Sequence, residues 1–125
     1  MISEHTFSFT FERSDHAPWL ARRALRDWLL VLDCPARTQQ DMLLVISELV
    51  TNAVIHAQSA PAVVASYDDG RLRLEVHDQN PAPPEVRADG DGVGGYGLRM
   101  VSRLTDRWGW EPTPTGKRIW SEMHC

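Results

Sequence analysis

Glu48, Asn52 and His56 stand four residues apart within VISELVTNAVIHA, residues 45–57. Side chains at that spacing share one face of a helix. Their flanks are apolar: Met42, Ile46, Leu49, Val50, Ala53 and Ala57 form one broad arc, and Leu44 and Ile55 fall on the far side of Glu48. A helix apolar nearly all round is expected to be buried. A carboxylate in such a place must be paired, protonated or bound to a cation. Pairing of Glu48 with Arg22 or Arg99 is the purely structural reading. His56, taken alone, reads as a core histidine.

The second group is the glycine run. GDGVGG, Gly90 to Gly95, matches the letters of the dinucleotide fingerprint, but that fingerprint must follow a strand and open a βαβ unit. Here it follows a proline-rich stretch, which excludes it. What survives is simpler. Gly94, Gly95 and Gly97 precede a helix, and a helix start reached through small residues offers free N–H groups to an anion such as phosphate. A plain loop before an ordinary helix would read the same way. Asp78 is the third candidate. It ends the strand LRLEVHD, where a side chain can point into the mouth of a site, or it opens the turn before Asn80-Pro81.

These residues need elements to hold them. A chain of 125 residues is expected to be one domain with a sizeable core. Its 42% hydrophobic and 24% charged residues, with no low-complexity tract, fit a globular domain. The net charge of −4 supplies no basic field for a nucleic-acid backbone. No apolar run approaches the roughly 20 residues that span a bilayer. MISEHTFSFTFE lacks the basic-then-apolar pattern of a secretion signal, so the cytoplasm is the expected compartment. Cys34 and Cys125 form neither a disulfide framework nor a metal spacing, and free thiols are expected.

Phe7, Phe9 and Phe11 alternate with Thr6, Ser8 and Thr10, the period of a strand buried on one face. A helix follows, with Ser14 or Asp15 able to cap it, Pro18 in its first turn, and Trp19, Leu20, Ala24, Leu25, Trp28 and Leu29 at helical spacing. Pro35 ends it. A second helix is predicted from Thr38 to Ala57, and AVVASYDDGRLRLEVHD is predicted as a hairpin turning at Asp69-Gly70. Residues 79–96 then carry so many prolines and glycines that they read as a long functional loop. GLRMVSRLTDRW resumes as helix, and RWGWEP with GKRIWSEM closes a second hairpin. The expected fold is an α+β sandwich, its antiparallel or mixed sheet covered by helices on one face.

Together, ELVTNAVIHA, Asp78 with DQNPAPP, and GGYGLRMV resemble the N box and the two glycine boxes of the GHKL, or Bergerat-fold, ATPase superfamily of histidine kinases, gyrases and MutL proteins. The chain looks most like the small bacterial anti-sigma-factor serine kinases of the RsbW type. An N-terminal helix, ISELVTNAV-HA, D-x-x-P, GxGL and a terminal GK-x-x-W carry that likeness through nearly all of it. The resemblance implies a two-layer α/β sandwich of the histidine-kinase-like ATPase type. It implies one ATP-binding domain over residues 1–125, a lid over residues 79–97, and ATP with Mg²⁺ as cofactors. Glu48 would be the general base, and Asn52 would ligate Mg²⁺ through its carbonyl oxygen. Asp78 would accept the adenine amino group, and Gly94, Gly95, Gly97 and Leu98 would bring the lid to the phosphates. The implied partners are an anti-anti-sigma protein of the STAS type, carrying the acceptor serine, and a sigma factor. No membrane or nucleic-acid partner is implied, and relatives of this type are often homodimers.

The chain departs from the superfamily pattern in three places. The first glycine box reads Asp78-Gln79-Asn80-Pro81 instead of DxGxG, which fits the anti-sigma branch. Arg118 stands in TGKRIW where a threonine near the adenine is common, with Thr115 as a shifted substitute. The sequence carries no dimerisation helix with a phospho-acceptor histidine, and His56 has no support in that role. Three functions stay open: a serine/threonine kinase that also sequesters a sigma factor, a nucleotide-gated binding module without useful catalysis, and an α+β binding domain without nucleotide.

Overall fold

The structure is a computed structural model that describes residues 4–84 and 96–125. Strand β1 (Glu4–Thr10) leads to α1 (Ala17–Leu29) and α2 (Ala36–Thr51), and α2 runs on through a π-helical turn, Asn52–His56. Then follow β2 (Ala62–Asp68), β3 (Arg71–Asp78), α3 (Tyr96–Leu104), β4 (Arg107–Thr113) and β5 (Gly116–His124). The element order is the one the periodicities predict. The five strands lie in the order β1-β2-β3-β5-β4, and every neighbouring pair is antiparallel, so the sheet is not mixed.

Alternation along β3 shows how the layers form. Leu72, Leu74, Val76 and Asp78 are buried on the inward face, and Arg71, Arg73, Glu75 and His77 take the outward one. Asp69 and Gly70, both with positive φ (48° and 86°), make the two-residue turn into β3, whose twist suits an antiparallel hairpin. The helices cover the inward face. Met42, Val45, Ile46, Leu49 and Val50 of α2 are buried there. At about 1.5–3 kcal/mol for each large apolar side chain buried, α2 is the most firmly fixed of the helices.

Two local expectations are corrected. Neither Ser14 nor Asp15 caps α1; the N-cap position is His16, with no side-chain cap, and Ser14 Oγ accepts from the His16 N–H at 3.2 Å. Pro18 in the first turn lacks an N–H, so one fewer donor needs a cap. The buried stripe of α1 is Ala17, Ala21, Leu25, Trp28 and Leu29, which leaves Trp19 (57% exposed) and Leu20 outside. The cysteines are the larger correction. Cys34 and Cys125 form a disulfide, their Cα atoms 5.0 Å apart, tying the α1–α2 linker to the end of β5.

The outward face of the sheet carries a charge network. The Glu122 carboxylate accepts from Arg107, from Arg73 at 3.0 Å and from Arg71 at 3.4 Å. Arg73 also donates to Glu75 at 2.9 Å and lies over the Trp120 ring. Burial alone would raise the Glu122 carboxyl, but the hydrogen bonds from Arg107 and Arg73 hold it below its ordinary value. Glu75 is lowered too: burial opposes the shift, and hydrogen bonds to His77 and Arg73 outweigh it. Groups lowered on folding stabilise fully above the ordinary carboxylate range and lose that effect as pH falls through their folded values. Melting temperature should therefore fall between about pH 6 and about pH 3. Glu122→Gln should melt lower at neutral pH and show a flatter acid limb. Thermal melts across that series check this; an unchanged acid limb in Glu122→Gln would mean the network does not couple to folding.

Candidate functional site

Asn52 is the first residue of the π turn and is 8% exposed. Among the described residues its side-chain amide makes no hydrogen bond, so a nearly buried carbonyl oxygen is left for a ligand. The backbone widens here. The Ala57 N–H donates to Asn52 O at 2.9 Å, five residues back, and the Ser59 N–H donates to Ala53 O at 2.9 Å. Single π turns inside helices occur often at functional sites. This one delivers the chain to the loop after β3: Ser59 Oγ accepts from the Gln79 N–H at 2.7 Å, and Asn80 Nδ2 donates to Ala57 O at 3.4 Å.

Asp78 closes that loop from the sheet side. It is the last inward residue of β3, 4% exposed, and its Oδ1 accepts from the Asn80 N–H at 2.8 Å. Opposite it on β5 stands Lys117. The Lys117 Nζ lies 3.0 Å from Asp78 Oδ2 and 3.3 Å from Oδ1, and donates to Asn80 O at 3.0 Å. The strands meet closely there, for a Cβ on Gly116 would overlap the Asp78 carbonyl and lie 2.7 Å from Gln79 Cα.

This register corrects the reading of the last strand. Arg118 belongs to the outward face, where it donates to Glu111 Oε1 at 2.8 Å, and Thr115 is exposed in the turn before β5. Neither faces Asp78; Lys117 does. The sequence reading missed Lys117, Ser59 and Asn80. Ile119 and Met123 are both inward, so counting back by twos from them was the signal that could have found Lys117.

On the other side of α2, α3 packs against Glu48. A Cβ on Gly97 would meet Glu48 Oε2 and come within 3.3 Å of Glu48 Cβ and Cδ, so the start of α3 lies directly against the carboxylate, and a larger residue there would displace it. Glu48 is half-buried and lines a cavity of about 330 Å³ with Gly97, Arg99, Met100, Arg103 and Leu104. Among the described residues it makes no ion pair, so the pairing with Arg22 or Arg99 is not realised. Nor is α2 buried all round: Leu44 and Ile55 are 45% and 52% exposed. A helix in a single layer over a sheet keeps an open upper side, and Glu48 stands at its edge. His56 is exposed and is no core histidine. The Leu98 side chain is buried in the core, so only its backbone could face a nucleotide. Gly94 and Gly95 lie outside the described residues, as do positions 85–95 of the expected lid.

The donor set bears on the metal. Among the described residues no group of three or more His, Cys, Asp or Glu could hold an ion. Mg²⁺ in nucleotide sites needs little from the protein, since one or two oxygens complete a shell of phosphate and water. The free Asn52 carbonyl oxygen fits that need.

Comparison with known proteins agrees with this layout. The RsbU and RsbW domains of Rv1364c from Mycobacterium tuberculosis, known from a crystal structure, are similar in fold, with a TM-score of 0.75 at 22% identity. The match covers 96% of this chain and 32% of that one, so the present chain spans about a third of that protein's length. No curated protein gives a significant sequence match. The family model for the histidine kinase-like ATPase domain matches residues 10–122. This chain belongs to the histidine kinase-like ATPase domain family.

Proposed function

We propose that the chain binds Mg-ATP and works as a regulatory serine/threonine kinase of the anti-sigma type. The observation that carries this is the seating of Gly97 against Glu48, one turn from a free Asn52 oxygen. The start of α3, whose N–H groups would meet phosphate, thus lies beside the Glu48 carboxylate, which would take a proton. Asn52 would hold Mg²⁺, which when bound neutralises charge on the phosphates. Glu48 would accept the proton of an acceptor hydroxyl, and Asp78 would receive the adenine amino group. The acceptor is read as a serine of an anti-anti-sigma partner of the STAS type, and a sigma factor as the protein sequestered.

The outer face of α1 supports a protein partner. Trp19, Arg22, Arg23, Arg26 and Asp27 line a groove of about 310 Å³, and Arg22 Nε is buried without a hydrogen-bond partner among the described residues. Three arginines against one aspartate suit an acidic surface.

Calorimetry with ATP, in Mg²⁺ and again in EDTA, tests the nucleotide reading. Wild type should bind ATP in a Mg²⁺-dependent way. Asn52→Ala should weaken Mg-ATP binding by about tenfold or more, near 1.4 kcal/mol, with the fold intact. Asn52→Asp should also weaken it, because the new charge faces both Glu48 and the triphosphate. Wild-type binding without Mg²⁺ dependence, or an Asn52→Ala protein as tight as wild type, would remove the metal role.

A further inference from the structure

We infer that Lys117 reads the nucleobase alongside Asp78, donating to a ring nitrogen next to the amino group that Asp78 accepts. The inference rests on the nucleotide reading above and assigns it a residue.

Burial is the first argument. The Lys117 and Asp78 side chains are 3% and 2% exposed. Taking both charges out of water is costly, and such a pair is often no more stabilising than apolar residues of similar volume. Its position therefore asks for a use. It sits where β3 and β5 end together, at the mouth of the loop that Ser59 and Asn80 stitch to α2.

Valence is the second argument. A lysine ammonium has three N–H groups and a carboxylate about four acceptor sites. Lys117 directs one N–H at the carboxylate and one at Asn80 O, which leaves one. Asp78 Oδ1 already takes the Asn80 N–H, whereas Oδ2 meets no donor but Lys117 among the described residues. The pair thus presents one acceptor and one donor side by side. An aminopurine edge is the complement, because its exocyclic amino donor is flanked on each side by a ring-nitrogen acceptor. Asn80 O fixes the ammonium, so its remaining N–H has a set direction. Arg118, on the opposite face and engaged with Glu111, cannot substitute.

The contact is tested with nucleotides that lack one ring nitrogen each. Wild type is titrated calorimetrically with Mg-ATP, Mg-1-deaza-ATP and Mg-7-deaza-ATP. One analogue should bind about tenfold or more weaker than ATP, the size of one charge-assisted hydrogen bond, and it identifies which nitrogen is read. Lys117→Met should weaken ATP by a similar factor and bind ATP and that analogue equally, with a cooperative melt showing that it folds. Wild type binding all three alike, or Lys117→Met keeping the discrimination, overturns the inference while the nucleotide reading stands. Wild type binding none of the three overturns that reading and this one with it. The wild-type series decides the matter even if the variant does not fold.

Discussion

Phosphoryl transfer from ATP to a partner's serine should fall about a hundredfold to ten-thousandfold in Glu48→Gln, the usual range for losing a positioned general base. Glutamine has nearly the same shape as glutamate, so its fit against Gly97 survives, but it cannot take up a proton. ATP affinity should change far less than the rate, because the base contributes in the transition state and not in the bound ground state. Transfer is followed with ³²P-labelled ATP and a co-encoded STAS-type partner, and binding by calorimetry. A variant that transfers phosphate as fast as wild type removes the base assignment. A wild type that binds ATP tightly but labels no partner, with partner affinity unchanged in Glu48→Gln, selects the nucleotide-gated binding module instead.

Reduction should cost this domain a large part of its stability. The Cys34–Cys125 bond closes a loop with a sequence separation of 91 residues. In the chain-entropy account a loop of that size is worth on the order of 4–5 kcal/mol. Whole domains are stable by only about 5–15 kcal/mol, so the loss would be felt at once. Urea titrations with and without reductant should show a clear drop in midpoint. Cys34→Ser should reproduce the reduced protein and no longer respond to reductant. If the native protein shows two reactive thiols before any reduction, the bond is absent in solution.

Much of the fold was legible because its signals are local. The Asp69-Gly70 turn and the helical period of α2 each lie within a few residues of what they specify, and β1 forms where its phenylalanines alternate, although of those only Phe7 is buried and Phe9 is 44% exposed. The line of Glu48 and Asn52 was legible for the same reason. What failed needed three-dimensional neighbours. Two cysteines 91 residues apart leave no local trace of their meeting, so free thiols were the natural reading. Leu44 and Ile55 look like core by composition, yet among the described residues nothing covers the upper side of α2 at those positions. β5 was the subtlest case. Lys117, Ile119, Ser121 and Met123 share its inward phase, whereas Arg118, Trp120 and Glu122 share the other. Both phases mix polar and apolar residues, so the pattern alone does not show that Lys117, and not Arg118, is the inward side chain.

The π turn at Asn52–His56 has a consequence for the phase of the chain. An α-helix advances about 100° per residue, so one residue more in a single turn offsets everything after it by about that angle. Up to Asn52, the α2 rhythm is fixed by its core contacts, which also leave Glu48 and Asn52 on one line. Beyond it, Ser59 must arrive at the angle where its hydroxyl meets the Gln79 N–H. An unbroken α-helix would let either demand set the other. The extra residue works as a vernier, so the exit toward β2 can be indexed independently of the face that carries Glu48 and Asn52.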